Sequence, residues 1–333
     1  MLFFVICSAF ALFPEQVLYG AQNGLALCIN AVIPSLLPFM LISSCIIKSN
    51  FSHPLGAFLG KFLGPVTGMS DSGCVCFITG ILGGYGAGAR SVLDTYNEKQ
   101  ISKKEAQRLL AFCNNAGPLF IIGTVGIGFF ESRSIGFMLF CVQIITSLIC
   151  ARVFSGDFRG ERKSLSSEWN YYKKNKCELG TLVTKSAIEN GSAIVTACVF
   201  IITFSAILEI LPFGEYPFLA GVLEVTRGIS EVSRIGKETL PLVSALLSWG
   251  GMSVHFQANA LCSGEFNMKT YYLGKFLASG IAFLLTKLIS GDTAILLLVS
   301  VCVGALFLIY SALKFLFSPK YIQQCGCRQR RHS

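Results

Sequence analysis

Charged side chains are scarce in this chain, and their scarcity is uneven. Only 14% of the 333 residues are Asp, Glu, Lys or Arg, against roughly a quarter in soluble domains. Each uncharged run reaches or approaches the roughly 18–20 residues that a helix needs to cross a bilayer. The runs are 17–47, 109–130, 134–151, 190–208, 239–264 and 293–313. A soluble globular protein is therefore excluded, and the sequence predicts an all-α, polytopic membrane protein embedded in the lipid bilayer.

Residues that carry catalysis or bind metals are also few. The chain has three histidines, and most of its 14 cysteines lie inside apolar runs, where cysteine behaves as a small buried hydrophobe. Neither a zincin motif, a nucleophile elbow nor a Walker A motif occurs. We therefore expect no enzymatic activity, no catalytic residues, no cofactor and no metal site.

The net charge of +9 arises from basic residues clustered in loop 90–108, segment 155–185 and the tail. Basic loops between membrane spans face the cytoplasm, so nucleic acid is a poor partner for them. Placing them inside sets the direction of each span. Spans 1–13, 108–131, 187–211 and 270–289 then run outward, and spans 17–47, 134–154, 240–262 and 292–317 run inward.

Two apolar segments are interrupted by glycines and ionisable residues. The first is CVCFITGILGGYGAGARSVLD at 74–94, and the second is PFLAGVLEVTRGISEVSRIG at 217–236. The basic tail stays inside only if both segments are re-entrant, one entering from each face. Interrupted segments at corresponding places of two halves point to a transporter's substrate site.

The resulting prediction is an inverted-topology repeat with two re-entrant, broken helices. Its parts are an N-terminal helix at 1–13, repeat A at 17–154, a basic cytoplasmic linker at 155–186, repeat B at 187–289, a C-terminal transmembrane helix at 292–317 and a basic cytoplasmic tail at 318–333.

Candidate substrate-binding residues of the first half lie at two interruptions. A tight turn with free N–H groups makes an anion-binding nest, here at Tyr85, Gly86 and Gly88, and Arg90 could fork onto a carboxylate. Asn114 and Asn115 are costly inside an apolar span unless their amides meet partners. Close helix packing by the glycines, interface anchoring by Arg90 and helix–helix hydrogen bonds of the amides are the structural alternatives.

The second half offers a parallel set. Glu224 and Arg227 are three apart, which places them on one helix face where they could neutralise each other, and Thr226 lies between them. His255 and Gln257 follow a further glycine break. A membrane histidine can titrate near neutral pH and couple transport to protons. A structural ion pair and a neutral packing histidine are the alternatives.

Several of these motifs together resemble the YlbJ-type sporulation integral membrane proteins of the nucleoside-recognition (Gate) domain superfamily. They are PSLLPF at 34–39, GYGAGAR at 84–90, FCNNAGPLF at 112–120, GVLEVTRG at 221–228 and GGMSVHFQ at 250–257. The resemblance, with its motifs in this order, covers nearly the whole chain. Gly86 is a departure, because family members often carry proline after this tyrosine.

The resemblance implies a role in endospore formation, in the mother-cell membrane and the outer membrane around the forespore. It also implies transport of a small anion, dipicolinic acid, on a fold related to nucleoside transporters. A nucleoside or other small-metabolite carrier on the same scaffold is the alternative. So is a non-transporting sporulation scaffold that acts through linker 155–186. The oligomeric state, a homo-oligomer included, stays open.

Overall fold

The computed structural model describes residues 2–155, 160–175, 177–211, 216–262 and 264–290, and within these ranges every regular element is helical. The all-α polytopic fold is thereby confirmed. The predicted helix 292–317 and tail 318–333 lie outside the described residues. The helices are α1 Leu2–Leu12, α2 Pro14–Lys48, α3 Ser52–Thr67, α4 Asp71–Gly83, α5 Ala87–Asn97, α6 Lys103–Cys113, α7 Leu119–Phe129, α8 Arg133–Ser155, α9 Leu165–Lys174, α10 Leu179–Ile210, α11 Pro217–Leu223, α12 Val225–Ser233, α13 Leu240–Trp249, α14 Gly251–Cys262 and α15 Lys269–Ile289.

Four of the described helices are long and apolar enough to cross a membrane: α2, α8, α10 and α15. They coincide with the predicted spans 17–47, 134–154, 187–211 and 270–289. Helix α10 has 32 residues, which is about 48 Å at 1.5 Å per residue. It packs along α2 and also contacts α11 and α14. A fifth span is formed only if α3 and α4, which meet at 89°, are counted as one.

The predicted linker 155–186 is largely helical where the structure describes it. Helix α9 lies within it, and α10 begins at Leu179. The linker packs against α3 and α4. His53 Nδ1 lies 2.7 Å from Glu168 Oε2, and Arg162 Nη1 lies 2.9 Å from Asp71 Oδ1. The part between α8 and α10 is therefore shorter than predicted and is bound to the first half of the chain.

Helix breaks divide the two halves in the same order. The first break, Gly84–Gly86, separates α4 from α5, and the second, Asn114–Pro118, separates α6 from α7. The third lies at Glu224 between α11 and α12, and the fourth at Gly250 between α13 and α14. Spans predicted at 108–131 and 240–262 are thus two short helices each. The opposite orientation of the halves stays a prediction.

Glycine conformations explain two of these breaks. Gly84 and Gly86 have φ of +85° and +81°, and Gly250 has φ of +89°. An L-residue with a side chain rarely adopts this left-handed region, whereas glycine enters it at no steric cost. The regular hydrogen-bond ladder stops there, so one helix ends and the next begins.

The contact between α15 and α6 depends on the absence of one side chain. A Cβ added at Gly274 would overlap the backbone and Cβ of Ala111, whereas one added at Gly280 of the same helix meets nothing within 4 Å. Gly274 therefore sets how closely α15 approaches α6.

We predict that Gly274→Ala lowers the stability of the purified protein by roughly 1–3 kcal/mol, because the added methyl group forces two backbones apart. Gly280→Ala, on the same helix, is the matched control and should unfold at the wild-type temperature. Thermal unfolding in detergent measures both, and equal midpoints for the two variants would contradict the packing described here.

Candidate functional site

The four breaks contact one another in the buried centre of the protein. The Tyr85 hydroxyl at the first break donates to the Leu247 carbonyl near the fourth, and the Tyr85 ring packs against Gly250. Trp249 Nε1 donates to the Val222 carbonyl at 3.1 Å, which joins the fourth break to α11, just before the third. Irregular backbone survives at membrane depth only where its polar groups are bonded or line a cavity, and these contacts supply part of that bonding.

Asn114 connects the first two breaks with α15. Its Oδ1 accepts the Gly86 N–H at 2.7 Å, and its Nδ2 donates to the Tyr271 hydroxyl at 3.3 Å. Its main-chain oxygen accepts Lys275 Nζ at 2.8 Å. Asn114 is fully buried, and Gly88 packs directly on the neighbouring Cys113 carbonyl because it has no side chain. The Asn114 side chain, predicted to bind substrate, therefore forms its hydrogen bonds with groups of the protein itself.

Asn115 points away from Asn114. Its Nδ2 donates to the Phe112 carbonyl at 2.7 Å, and its Oδ1 accepts Gln143 Nε2 at 3.1 Å. Gln143 Oε1 in turn accepts the Ser248 hydroxyl at 3.3 Å. The two asparagines face different neighbours, because both lie beyond the end of α6, where the backbone is no longer helical. Asn115 therefore fixes the second break against α8 and α13.

Glu224 occupies the third break and is 1% exposed. Its carboxylate accepts the backbone N–H groups of Thr226 at 3.2 Å and Arg227 at 2.7 Å. It thereby caps the first turn of α12, where the helix dipole favours negative charge. The positive end of the α12 dipole therefore compensates the negative charge of Glu224.

The expectation that Arg227 neutralises Glu224 through its side chain is wrong. The Arg227 guanidinium lies 2.6 Å from Glu209 of α10 and 2.8 Å from Glu231. The break turns the Glu224 side chain back onto the helix start, while Arg227 projects from the helix surface toward α10.

Arg90 also pairs with protein carboxylates. Its Nε lies 3.0 Å from Asp94 Oδ1, and its Nη2 binds Glu189 of α10, which also binds Lys48. The Arg90 guanidinium, predicted to bind a substrate carboxylate, is therefore occupied by Asp94 and Glu189 in this conformation.

A small cavity lies between the breaks. It leaves about 40 Å³ for the centres of water molecules, enough for a few waters. None of the described residues that line it is basic. Its lining is Val32, Ser35, Leu36, Tyr85, Gly117, Phe120, Ile201, Glu224, Val225, Thr226, Ser253, Val254 and Gln257. Ser253 Oγ and Gln257 Nε2 are buried there without a hydrogen-bond partner. The cavity thus offers one carboxylate and two unoccupied polar groups.

The structure therefore sorts the predicted residues into three groups. Tyr85, Glu224, Thr226 and Gln257 line the cavity, and Gly86 lies against the Gln257 amide. Asn114, Gly88 and His255 lie outside this lining, with His255 Nδ1 3.1 Å from the Tyr271 hydroxyl. Arg90, Asn115 and Arg227 bind other parts of the protein, as described above. No group of His, Cys, Asp or Glu able to hold a metal ion occurs in the described part of the chain.

Among the residues of this centre that the sequence prediction missed are Ser253, Tyr271 and Lys275. Lys275 carried a usable signal, since it is an ionisable residue inside the apolar span 270–289, where such residues are expensive and commonly functional. Ser253 and Tyr271 have no comparable signal, because serine and tyrosine are common in membrane helices.

We predict that Asn114→Ala lowers stability by roughly 1–3 kcal/mol, since it leaves the Gly86 N–H buried without an acceptor. Asn97→Ala, at an exposed position of α5, is the control and should be neutral. Thermal unfolding of the two purified variants checks this, and a stable Asn114→Ala protein would show that the first two breaks do not depend on this side chain.

Comparison with known proteins identifies a relative of this chain. It is 27% identical over 306 residues to the sporulation integral membrane protein YlbJ of Bacillus subtilis (strain 168), with 79% of this chain and 75% of the relative covered. No family model matches the chain, and no solved structure matches it. The protein is thus a multi-pass integral membrane protein similar to a YlbJ-type sporulation protein.

Proposed function

We propose that the protein is a carrier, not an enzyme, for a small anionic metabolite, with dipicolinic acid during endospore formation as the first candidate. The supporting observation is that the first three helix breaks, and the helix α14 that begins at the fourth, line one small cavity with the Glu224 carboxylate in its wall. Transporter sites are typically built from such discontinuous helices near the middle of the membrane. The sporulation role follows the relative's name, and the substrate and the forespore-surrounding membrane follow the family resemblance.

The cavity in this conformation is too small for such a metabolite, so transport requires the surrounding helices to part. Two ion pairs on α10 indicate where these helices could separate. Arg90 of α5 binds Glu189, and Arg227 of α12 binds Glu209. The two glutamates are 20 residues apart, roughly 30 Å along a helix. We infer that each pair holds one broken segment and that the pairs open alternately.

Glu224 should affect the binding of an anion and of a neutral substrate in opposite ways. A dianion entering this cavity meets a buried carboxylate of the same sign, which weakens its binding unless that carboxylate is protonated. A nucleoside meets a hydrogen-bond acceptor at Glu224 and open polar groups at Ser253 and Gln257. The absence of a basic side chain among the described lining residues therefore keeps a nucleoside carrier as the second candidate.

We predict that the reconstituted full-length protein moves dipicolinate into liposomes faster than protein-free liposomes do. If dipicolinate is the substrate, Glu224→Gln should raise its apparent affinity roughly tenfold or more, because a like charge is removed from a water-poor site. If a nucleoside is the substrate, the same change should weaken nucleoside binding by roughly tenfold, since a hydrogen bond to a charged acceptor is lost.

Glu98→Gln, at an exposed position at the end of α5, is the matched control and should change neither affinity. Equal effects of Glu98→Gln and Glu224→Gln would place the substrate elsewhere. A folded protein that moves neither compound under any gradient would contradict transport and favour a scaffold that acts through segment 155–186.

The two ion pairs on α10 give a second test. Removing one of them should raise the opening equilibrium of its own segment by roughly 5- to 30-fold, the factor that corresponds to 1–2 kcal/mol. Arg90→Gln should speed hydrogen–deuterium exchange in α5 while leaving α12 unchanged, and Arg227→Gln should do the reverse. Each variant is the control of the other, and faster exchange in both segments from either change would contradict independent opening.

A further inference from the structure

Lys275 is a buried ionisable residue to which the proposed transport assigns no role. It lies in the first half of α15 with 1% of its surface exposed. Its ammonium donates to the main-chain oxygen of Asn114 at 2.8 Å and lies 5.8 Å from the centre of the Tyr85 ring. Among the described residues, no carboxylate forms an ion pair with it. A lysine in such a place needs another source of negative charge.

The carboxyl end of α6 provides that negative charge. Helix α6 ends at Cys113, and the carbonyl groups of a last helical turn have no partner within the helix. Together they carry about half a negative elementary charge. Asn115 Nδ2 binds one of these carbonyls, that of Phe112, and the Lys275 ammonium binds the carbonyl of Asn114, the residue that directly follows the helix. The ammonium therefore lies where the end of a broken helix attracts a cation.

The neighbouring polar groups fit a cation better than an acid–base partner. Tyr271, one turn before Lys275 on α15, binds the Asn114 side chain. The close approach at Gly274 and Ala111 brings α15 near enough for the lysine to reach the helix end. The face of the Tyr85 ring adds the quadrupole attraction that aromatic rings exert on cations. A carbonyl oxygen and an aromatic face, with no carboxylate, bind monovalent cations weakly unless the cation is covalently held.

We propose that the carboxyl end of α6 is a monovalent-cation site and that the Lys275 ammonium fills it from within the protein. Discontinuous transporter helices commonly bind a dissolved cation at such ends, and here the chain carries its own. Truncation of the Lys275 side chain should then leave a vacant site that accepts a primary alkylammonium ion. The inference concerns the second break itself and holds whichever metabolite the cavity takes.

Chemical rescue of Lys275→Ala tests the proposal. The full-length protein is purified in detergent, and its thermal unfolding is followed in n-propylammonium, methylammonium, sodium or choline chloride at one ionic strength. Lys275→Ala should unfold roughly 5 °C or more below the wild type. Propylammonium, which replaces the removed atoms, should raise its midpoint saturably and more than methylammonium, whereas choline should not. The wild type should respond to none of them beyond the salt effect.

Two further variants keep the test decisive. Lys275→Met fills the same space without the charge, so it should be less stable than the wild type and insensitive to propylammonium. Lys287→Ala, at an exposed position of the same helix, should behave as the wild type. A Lys275→Met protein as stable as the wild type would overturn the proposal, whether or not Lys275→Ala can be purified. So would a Lys275→Ala protein that folds and responds to propylammonium no more than the wild type does.

Discussion

The need to bond every polar backbone group away from water governs the centre of this protein. A helix that stops at membrane depth exposes N–H and C=O groups, and each one left unbonded in lipid costs several kcal/mol. The chain meets this cost by bringing its breaks together. The Gly86 N–H finds its acceptor on Asn114, and the Asn114 carbonyl finds its donor on Lys275. The second break therefore bonds an open backbone group of the first, and α15 bonds an open backbone group of the second.

The two halves meet this requirement with different chemistry. The first break is a glycine turn whose N–H is bonded by a neutral amide, so it adds no charge to the cavity. The third break is capped by its own carboxylate, Glu224, which binds two N–H groups of α12. A carboxylate cap is stronger than a neutral one, but it places a negative group on the cavity wall. The negative group in the cavity wall is therefore a residue that also starts a helix.

The breaks could be predicted from the sequence, but their partners could not. Glycines and polar residues inside apolar runs are local signals, and they located all four breaks and the cavity residues Tyr85, Glu224, Thr226 and Gln257. The predictions for Arg90 and Arg227 missed their partners on α10, Glu189 and Glu209, because these lie far away in the chain. They also missed the partners one turn along the same helix, Asp94 and Glu231. Local spacing placed Arg227 beside Glu224, yet the break between helices redirected one of the two side chains. Asn114 and Asn115 diverge for the same reason.

Tyr85 lies near both buried ionisable side chains of the centre, Glu224 and Lys275. Its ring lines the cavity together with Glu224, and the same ring lies beneath the Lys275 ammonium. Charges buried in a protein interact more strongly than in water, so the position of this ring matters for both side chains. The ring is fixed by its hydroxyl on Leu247 and by the glycine turn that carries it. Any movement of the first break that withdraws Tyr85 therefore also changes the electrostatic field at Glu224.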